Sequence, residues 1–89
     1  MVARSAVVNN QLGLHARAAA RFVHLASTFQ ARVSLARGAR TVDGKSILGI
    51  LLLAASRGTT IDVTAEGPDE RAALDALCAL VDSGFGEPA

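Results

Sequence analysis

"ARVSLARGARTVDGKSILGI", residues 31–50, changes its hydrophobic period part-way along, and that change decides the fold. Val33 and Leu35 alternate with polar neighbours, a turn falls around Arg37, Gly38 and Ala39, and a second short run follows through Thr41 and Val42. A period of two on both sides of a glycine turn predicts a β-hairpin. From Ser46 the pattern breaks into a continuous apolar run that Gly58 closes. Serine is a favoured N-cap because its hydroxyl accepts an amide hydrogen bond from the first turn, so a short helix begins at Ile47.

Reading outward, "TTIDVTAEG", residues 59–67, sets Ile61, Val63 and Ala65 against Asp62 and Thr64, the signature of a half-buried strand. Pro68, Asp69 and Glu70 then open a last helix whose stripe is Ala73, Leu74, Leu77, Leu80 and Val81, with Gly84 as its stop. Cys78 lies beside that stripe as a small, semi-buried filler. On the N-terminal side, residues 3–8 are small and β-branched and run into the turn formers "NNQLG", giving a strand and then a loop. From Ala16 the spacing of Ala19, Phe22, Val23 and Ala26 lines one helical face that ends near residues 27–29. The order is β-α-β-β-α-β-α, four strands in one sheet with helices on one face, an α+β class.

The composition excludes several alternatives. Eighty-nine residues, 51% of them apolar, suffice for one core and one domain spanning residues 1–89. No segment approaches the roughly 20 apolar residues of a membrane helix, and no basic region leads into an apolar signal core, so a cytoplasmic protein without membrane insertion is expected. One cysteine forms neither an internal disulfide nor a multi-cysteine metal site. A net charge of +1 is small for a nucleic-acid binder, although Arg17, Arg21, Lys45 and Arg57 are candidates for a local basic patch. A nucleic-acid-binding α+β module remains the remote alternative: Phe22, Phe29 and Phe85 all fall in or near helices, which leaves the sheet without stacking aromatics.

His15 stands where the first helix starts. In that position the free amides of Ala16, Arg17 and Ala18, together with the positive end of the helix dipole, form an anion site past the ring. Arg17 adds a guanidinium fork suited to phosphate oxygens. A neutral imidazole there is a nucleophile able to accept a phosphoryl group, with the amides and Arg17 stabilising charge on the transferring oxygens. Read alone, a histidine near a helix start is more often a capping or surface residue without chemistry. A metal site shared with His24 is disfavoured, because nine residues along a helix turn about half a circle past whole turns and no third ligand is near.

The motifs "GLHAR" at residues 13–17 and "GKSILGI" at residues 44–50, with "GPDERAALDAL" running on to "GFGE", resemble the histidine-containing phosphocarrier (HPr) family of the bacterial phosphoenolpyruvate-dependent sugar phosphotransferase system. The resemblance implies an open-faced β-sandwich, a four-stranded antiparallel sheet with three helices on one face. It implies that His15 takes phosphate on Nδ1 from phospho-enzyme I and passes it to enzyme IIA domains, with Arg17 assisting and no metal or cofactor. The protein would then be a monomeric carrier and not an enzyme with turnover of its own. A regulatory paralogue acting in nitrogen or carbon control shares every one of these residues.

Ser46 serves as an N-cap on either reading, and the resemblance adds regulatory phosphorylation by an HPr kinase/phosphorylase. Ile47, Leu48, Leu51 and Leu52 span more than one face of a short helix, so some must stay exposed, while Ile50 and Leu53 suit a core. The family's use of the first two helices for docking makes Arg17, Ala20, His24, Ile47, Leu48 and Leu51 candidate partner contacts. Two departures from the family pattern stand out: Ala18 replaces a common proline, and Ala54 replaces a common glycine. If that glycine holds a positive φ in relatives, the end of the short helix is expected to rearrange here.

Overall fold

The computed structural model describes residues 1–87, and its elements follow the expected order. They are β1 (Val2–Val7), α1 (Ala16–Ala26), β2 (Arg32–Arg37), β3 (Arg40–Asp43), α2 (Ile47–Leu52), β4 (Thr60–Glu66) and α3 (Glu70–Asp82). The strands form one antiparallel sheet in the order β1-β4-β2-β3. The last strand therefore enters between the first two, with Val63 opposite Arg4 on one side and Leu35 on the other. Ile61, Val63 and Ala65 of β4 and Val33 and Leu35 of β2 are buried on one face, and the helices cover it. This is the open-faced α+β architecture that the sequence implied.

Alternation puts the apolar half of each strand under the helices, and the helical stripes answer it. Ala18, Ala19, Phe22 and Ala26 bury the inner face of α1, and Phe22 is wholly enclosed. Small side chains along this stripe let the helix lie close to its neighbours α2 and α3. Val23, expected in the stripe, is only half-buried at its edge. On α3 the core positions are Ala73, Leu74, Leu77, Cys78 and Val81. Leu80 sits at the margin and Cys78 is fully buried, the reverse of the expected ranking, because the stripe tilts toward β1, beside which the helix packs. Burial also pushes the Cys78 thiol above its usual range.

Two differences from the expected boundaries have identifiable causes. The strand β1 ends at Val7, one residue early, yet Val8 remains paired: its amide donates to the Thr59 carbonyl and its carbonyl accepts from Gly58. The helix α2 ends at Leu52, well before Gly58. With no basic residue in its last turn, its terminal carbonyls are met by the hairpin instead. Arg37 donates to the carbonyls of Leu53 and Ala54 at 2.7 and 3.1 Å, and Arg40 to that of Leu52 at 2.7 Å. Cationic donors at a helix C-terminus satisfy orphan carbonyls and complement the dipole. Ala54 follows with φ 51°, a left-handed conformation adopted despite the methyl group.

Beyond α3 the chain makes a 3-10 turn, Gly84–Gly86, that the sequence did not signal. Phe85 in this turn is fully buried at φ 59°. Its carbonyl accepts from Arg21 on α1, and the Asn9 side chain donates to the Asp82 carbonyl at 2.9 Å. The C-terminal segment is thereby fastened to the middle of α1 and to the loop that follows β1.

Candidate functional site

The loop between β1 and α1 is held rigidly against the segment that follows α2. Leu14 donates to the Ala55 carbonyl at 2.9 Å, and Gly13 lies directly against Ala55 and Ser56. Gly13 has φ +66°, and a Cβ there would stand 2.5 Å from the Ala55 carbonyl oxygen and 2.9 Å from Ser56 Cα. Only glycine satisfies both the left-handed backbone and the close approach. The loop thus delivers the next residues in one orientation.

His15 is the N-cap of α1, with extended backbone at φ −77° and ψ 178°. Its Nδ1 accepts from the Arg17 amide at 3.3 Å, which makes the imidazole itself the capping group. Of the three amides expected to face an anion, Arg17's is therefore engaged, while those of Ala16 and Ala18 have no acceptor among the described residues. Ala18 is buried, and the helix runs unbroken from Ala16.

The other ring nitrogen, Nε2, lies 2.7 Å from Glu87 Oε2. Glu87 Oε1 accepts from Asn10 Nδ2 at 2.7 Å, and the same Asn10 nitrogen donates to the Gly13 carbonyl at 2.7 Å. Asn10 is buried, and two acceptors beside one end of its amide fix which end carries the nitrogen. Burial would push the Glu87 carboxyl up, but hydrogen bonds from Asn10 and His15 and the charges of His15 and Arg21 outweigh it and hold it below the usual carboxylate range. An ionised Glu87 only accepts, so Nε2 carries the proton. Nδ1 accepts the Arg17 amide, so it is bare. Both contacts select one tautomer, with the lone pair of Nδ1 directed toward the helix start. The ring is a quarter exposed, open enough for Nδ1 to be reached.

Sequence reading missed Glu87 and Asn10. Asn10 appeared only as a turn former, and Glu87, separated from His15 by 72 positions, bears no spacing relation to it.

The remaining candidates divide by location. Arg17, Ala20, Arg21, His24, Leu25 and Leu80 line a shallow, mostly apolar groove along α1, and the Arg17 guanidinium has no hydrogen-bond partner among the described residues. Ile47, Leu48, Leu51 and Leu52 are all exposed on α2, Leu48 at 69%. Leu12, 70% exposed in the loop before His15, extends the apolar surface and was not anticipated. Ser46 caps α2 as expected, its Oγ accepting from the Gly49 amide at 3.0 Å. The proposed basic patch does not assemble: Lys45 donates to the Phe29 carbonyl and Arg57 lines a polar cleft with Asn10 and Glu87, apart from the α1 groove. Among the described residues no His, Cys, Asp and Glu cluster suits a metal ion, and no helix is long and apolar enough to cross a membrane.

A family profile described as "PTS HPr component phosphorylation site" matches residues 2–83. The chain belongs to the HPr family. The phosphocarrier protein HPr of Cupriavidus necator is 47% identical over 87 residues, covering 98% of each chain. The phosphocarrier protein NPr of Shewanella violacea is 45% identical over 84 residues, covering 94% of this chain and 92% of its own. Among solved structures, an HPr from Thermoanaerobacter tengcongensis superimposes with a TM-score of 0.96 at 40% identity, covering all of both chains. A further HPr structure from that organism, described as a dimer, gives 0.78 at 44% identity, so the fold does not impose the expected monomer.

Proposed function

We propose that this protein is a cytoplasmic phosphoryl carrier that accepts phosphate from phospho-enzyme I on Nδ1 of His15 and passes it to enzyme IIA domains. The observation that carries this reading is the fixed tautomer of His15, whose bare Nδ1 sits at a helix N-terminus where the Ala16 and Ala18 amides have no acceptor among the described residues. Those amides and the Arg17 guanidinium, which has no partner among the described residues, suit the oxygens of a transferring phosphoryl group. The apolar groove of α1 and the exposed leucines of α2 flank that position and serve as the docking surface, through Ala20, His24, Ile47, Leu48 and Leu51. The carrier works as a single chain on this reading, because its core closes within one protomer.

Incubation with enzyme I and labelled phosphoenolpyruvate should give an acid-labile, alkali-stable label that His15→Ala abolishes. A label that persists in that variant moves the site elsewhere. Arg17→Ala should slow transfer without unfolding the protein. Phosphorylation of Ser46 would place a dianion at the start of α2, beside Ile47 and Leu48, and weaken docking of an apolar partner face. Ser46→Asp should accordingly lower enzyme I affinity.

The NPr relative favours a second reading, service in a regulatory nitrogen branch in place of sugar uptake. Comparing transfer from a sugar-branch enzyme I and from its nitrogen-branch counterpart separates the two.

A further inference from the structure

We propose that Glu87, pinned by Asn10, is a positioning residue that keeps Nε2 of His15 protonated throughout the carrier cycle and so sets how readily the phosphorylated ring releases its phosphoryl group. This rests on the carrier reading above. The geometry supplies the parts: Glu87 Oε2 on Nε2 at 2.7 Å, Glu87 Oε1 held by Asn10 Nδ2 at 2.7 Å, and a Glu87 side chain only 14% exposed. The Asn10 amide ties the carboxylate to the Gly13 carbonyl, so the acceptor is fixed to the same loop that aims His15.

The chemistry follows from electron accounting. On phosphorylation the Nδ1 lone pair forms the N–P bond, the donor's bond to phosphorus breaks, and its electron pair leaves with the donor. The ring keeps its Nε2 proton and becomes a cation, which the Glu87 carboxylate faces directly. On release, to an acceptor or to water, the N–P bond breaks and its pair returns to Nδ1. The ring departs as a neutral imidazole, with no proton to move at either step. Without the carboxylate, the phosphorylated ring sheds its Nε2 proton more easily and would have to leave as an anion, a far poorer leaving group. Among the described residues, the other charges around the ring, Arg17 and Arg21 on α1 and Arg57 in the adjoining cleft, are positive and favour loss of that proton; only Asp82, which lines the cleft with Arg57, shares the sign of Glu87.

The test is the lifetime of the phosphohistidine. Wild type, Glu87→Ala and Glu87→Gln are phosphorylated with phosphoramidate, and decay is followed by 31P NMR across pH 6 to 9. Removing an opposite charge at this distance should move the pH at which decay slows downward by about one unit, making decay roughly tenfold slower on the alkaline side. Glu87→Gln, which keeps an uncharged acceptor, should fall between. If Glu87 merely held the C-terminal segment as a shield, its loss would admit water and speed decay. Faster or unchanged decay in Glu87→Ala overturns the proposal. 15N NMR of unphosphorylated His15 gives a second readout: Glu87→Ala should shift the Nε2 resonance as its hydrogen bond to the carboxylate is lost, while the Arg17 amide still keeps the proton off Nδ1, and an unaltered Nε2 shift counts against the assignment. Absence of phosphate on wild-type His15 removes the carrier reading and this inference together, whereas a labelled wild type with an indifferent Glu87→Ala removes this inference alone.

Discussion

Substituting Gly13 by alanine separates two costs that glycines usually combine. Gly13 and Gly38 have nearly the same backbone, at φ +66° and +58°, but a Cβ on Gly38 meets nothing within 4 Å. At Gly13 it would lie 2.5 Å from a backbone oxygen, about 0.9 Å inside the 3.4 Å at which ordinary contact begins. The left-handed conformation costs an alanine roughly 1–2 kcal/mol, partly offset by the stiffer unfolded chain at about 0.4–1 kcal/mol. Gly38→Ala should therefore lose about 1 kcal/mol or less. Gly13→Ala must also push the loop off residues 55 and 56, breaking the Leu14 to Ala55 hydrogen bond, worth about 1 kcal/mol, and loosening the buried Leu14. The total should be about 3 kcal/mol, which lowers the urea midpoint by roughly 1–3 M. Urea titration of both variants with a common baseline measures the difference, and phosphoryl acceptance should fall only in Gly13→Ala, because only there does His15 move. Equal losses at the two positions would refute the argument that backbone proximity, and not φ alone, demands glycine at 13.

Two further outcomes follow from strain and from charge. Ala54→Gly relieves an alanine held at φ 51° and should stabilise the protein by about 0.5–1 kcal/mol, raising Tm by roughly 2–8 °C; no gain would mean that Ala54 is unstrained. The Asp69 carboxylate accepts the Gln30 and Ala31 amides at 2.9 and 2.8 Å. The Gln30 hydrogen bond outweighs the opposing effect of burial and, with Ala31, its own amide and Lys45, lowers its titration below the usual 3.8. A depressed folded value stabilises fully above the unfolded value and loses that stabilisation as pH falls through the folded one, so acid unfolding below the usual 3.8 should be steeper in wild type than in Asp69→Asn. Parallel acid limbs in the two proteins would remove Asp69 from the account.

What could be read from the chain was whatever repeats over a few residues. The period of two in Val33 and Leu35 and again in Ile61, Val63 and Ala65 identified strands, and Ser46 and His15 declared themselves at helix starts because a capping residue lies within three positions of the amide it serves. The element order, most of the core stripes and the histidine at the mouth of the first helix all followed from such local relations. Tertiary structure decided the rest. It set β4 between β1 and β2, placed hairpin arginines on the carbonyls of α2, and turned the chain after α3 so that Glu87 meets His15. These contacts join residues whose separation along the chain fixes no distance in space, and their partners become neighbours only once the core has closed. The sequence alone therefore placed a histidine at the start of the first helix, whereas folding decided which of its two nitrogens carries the proton.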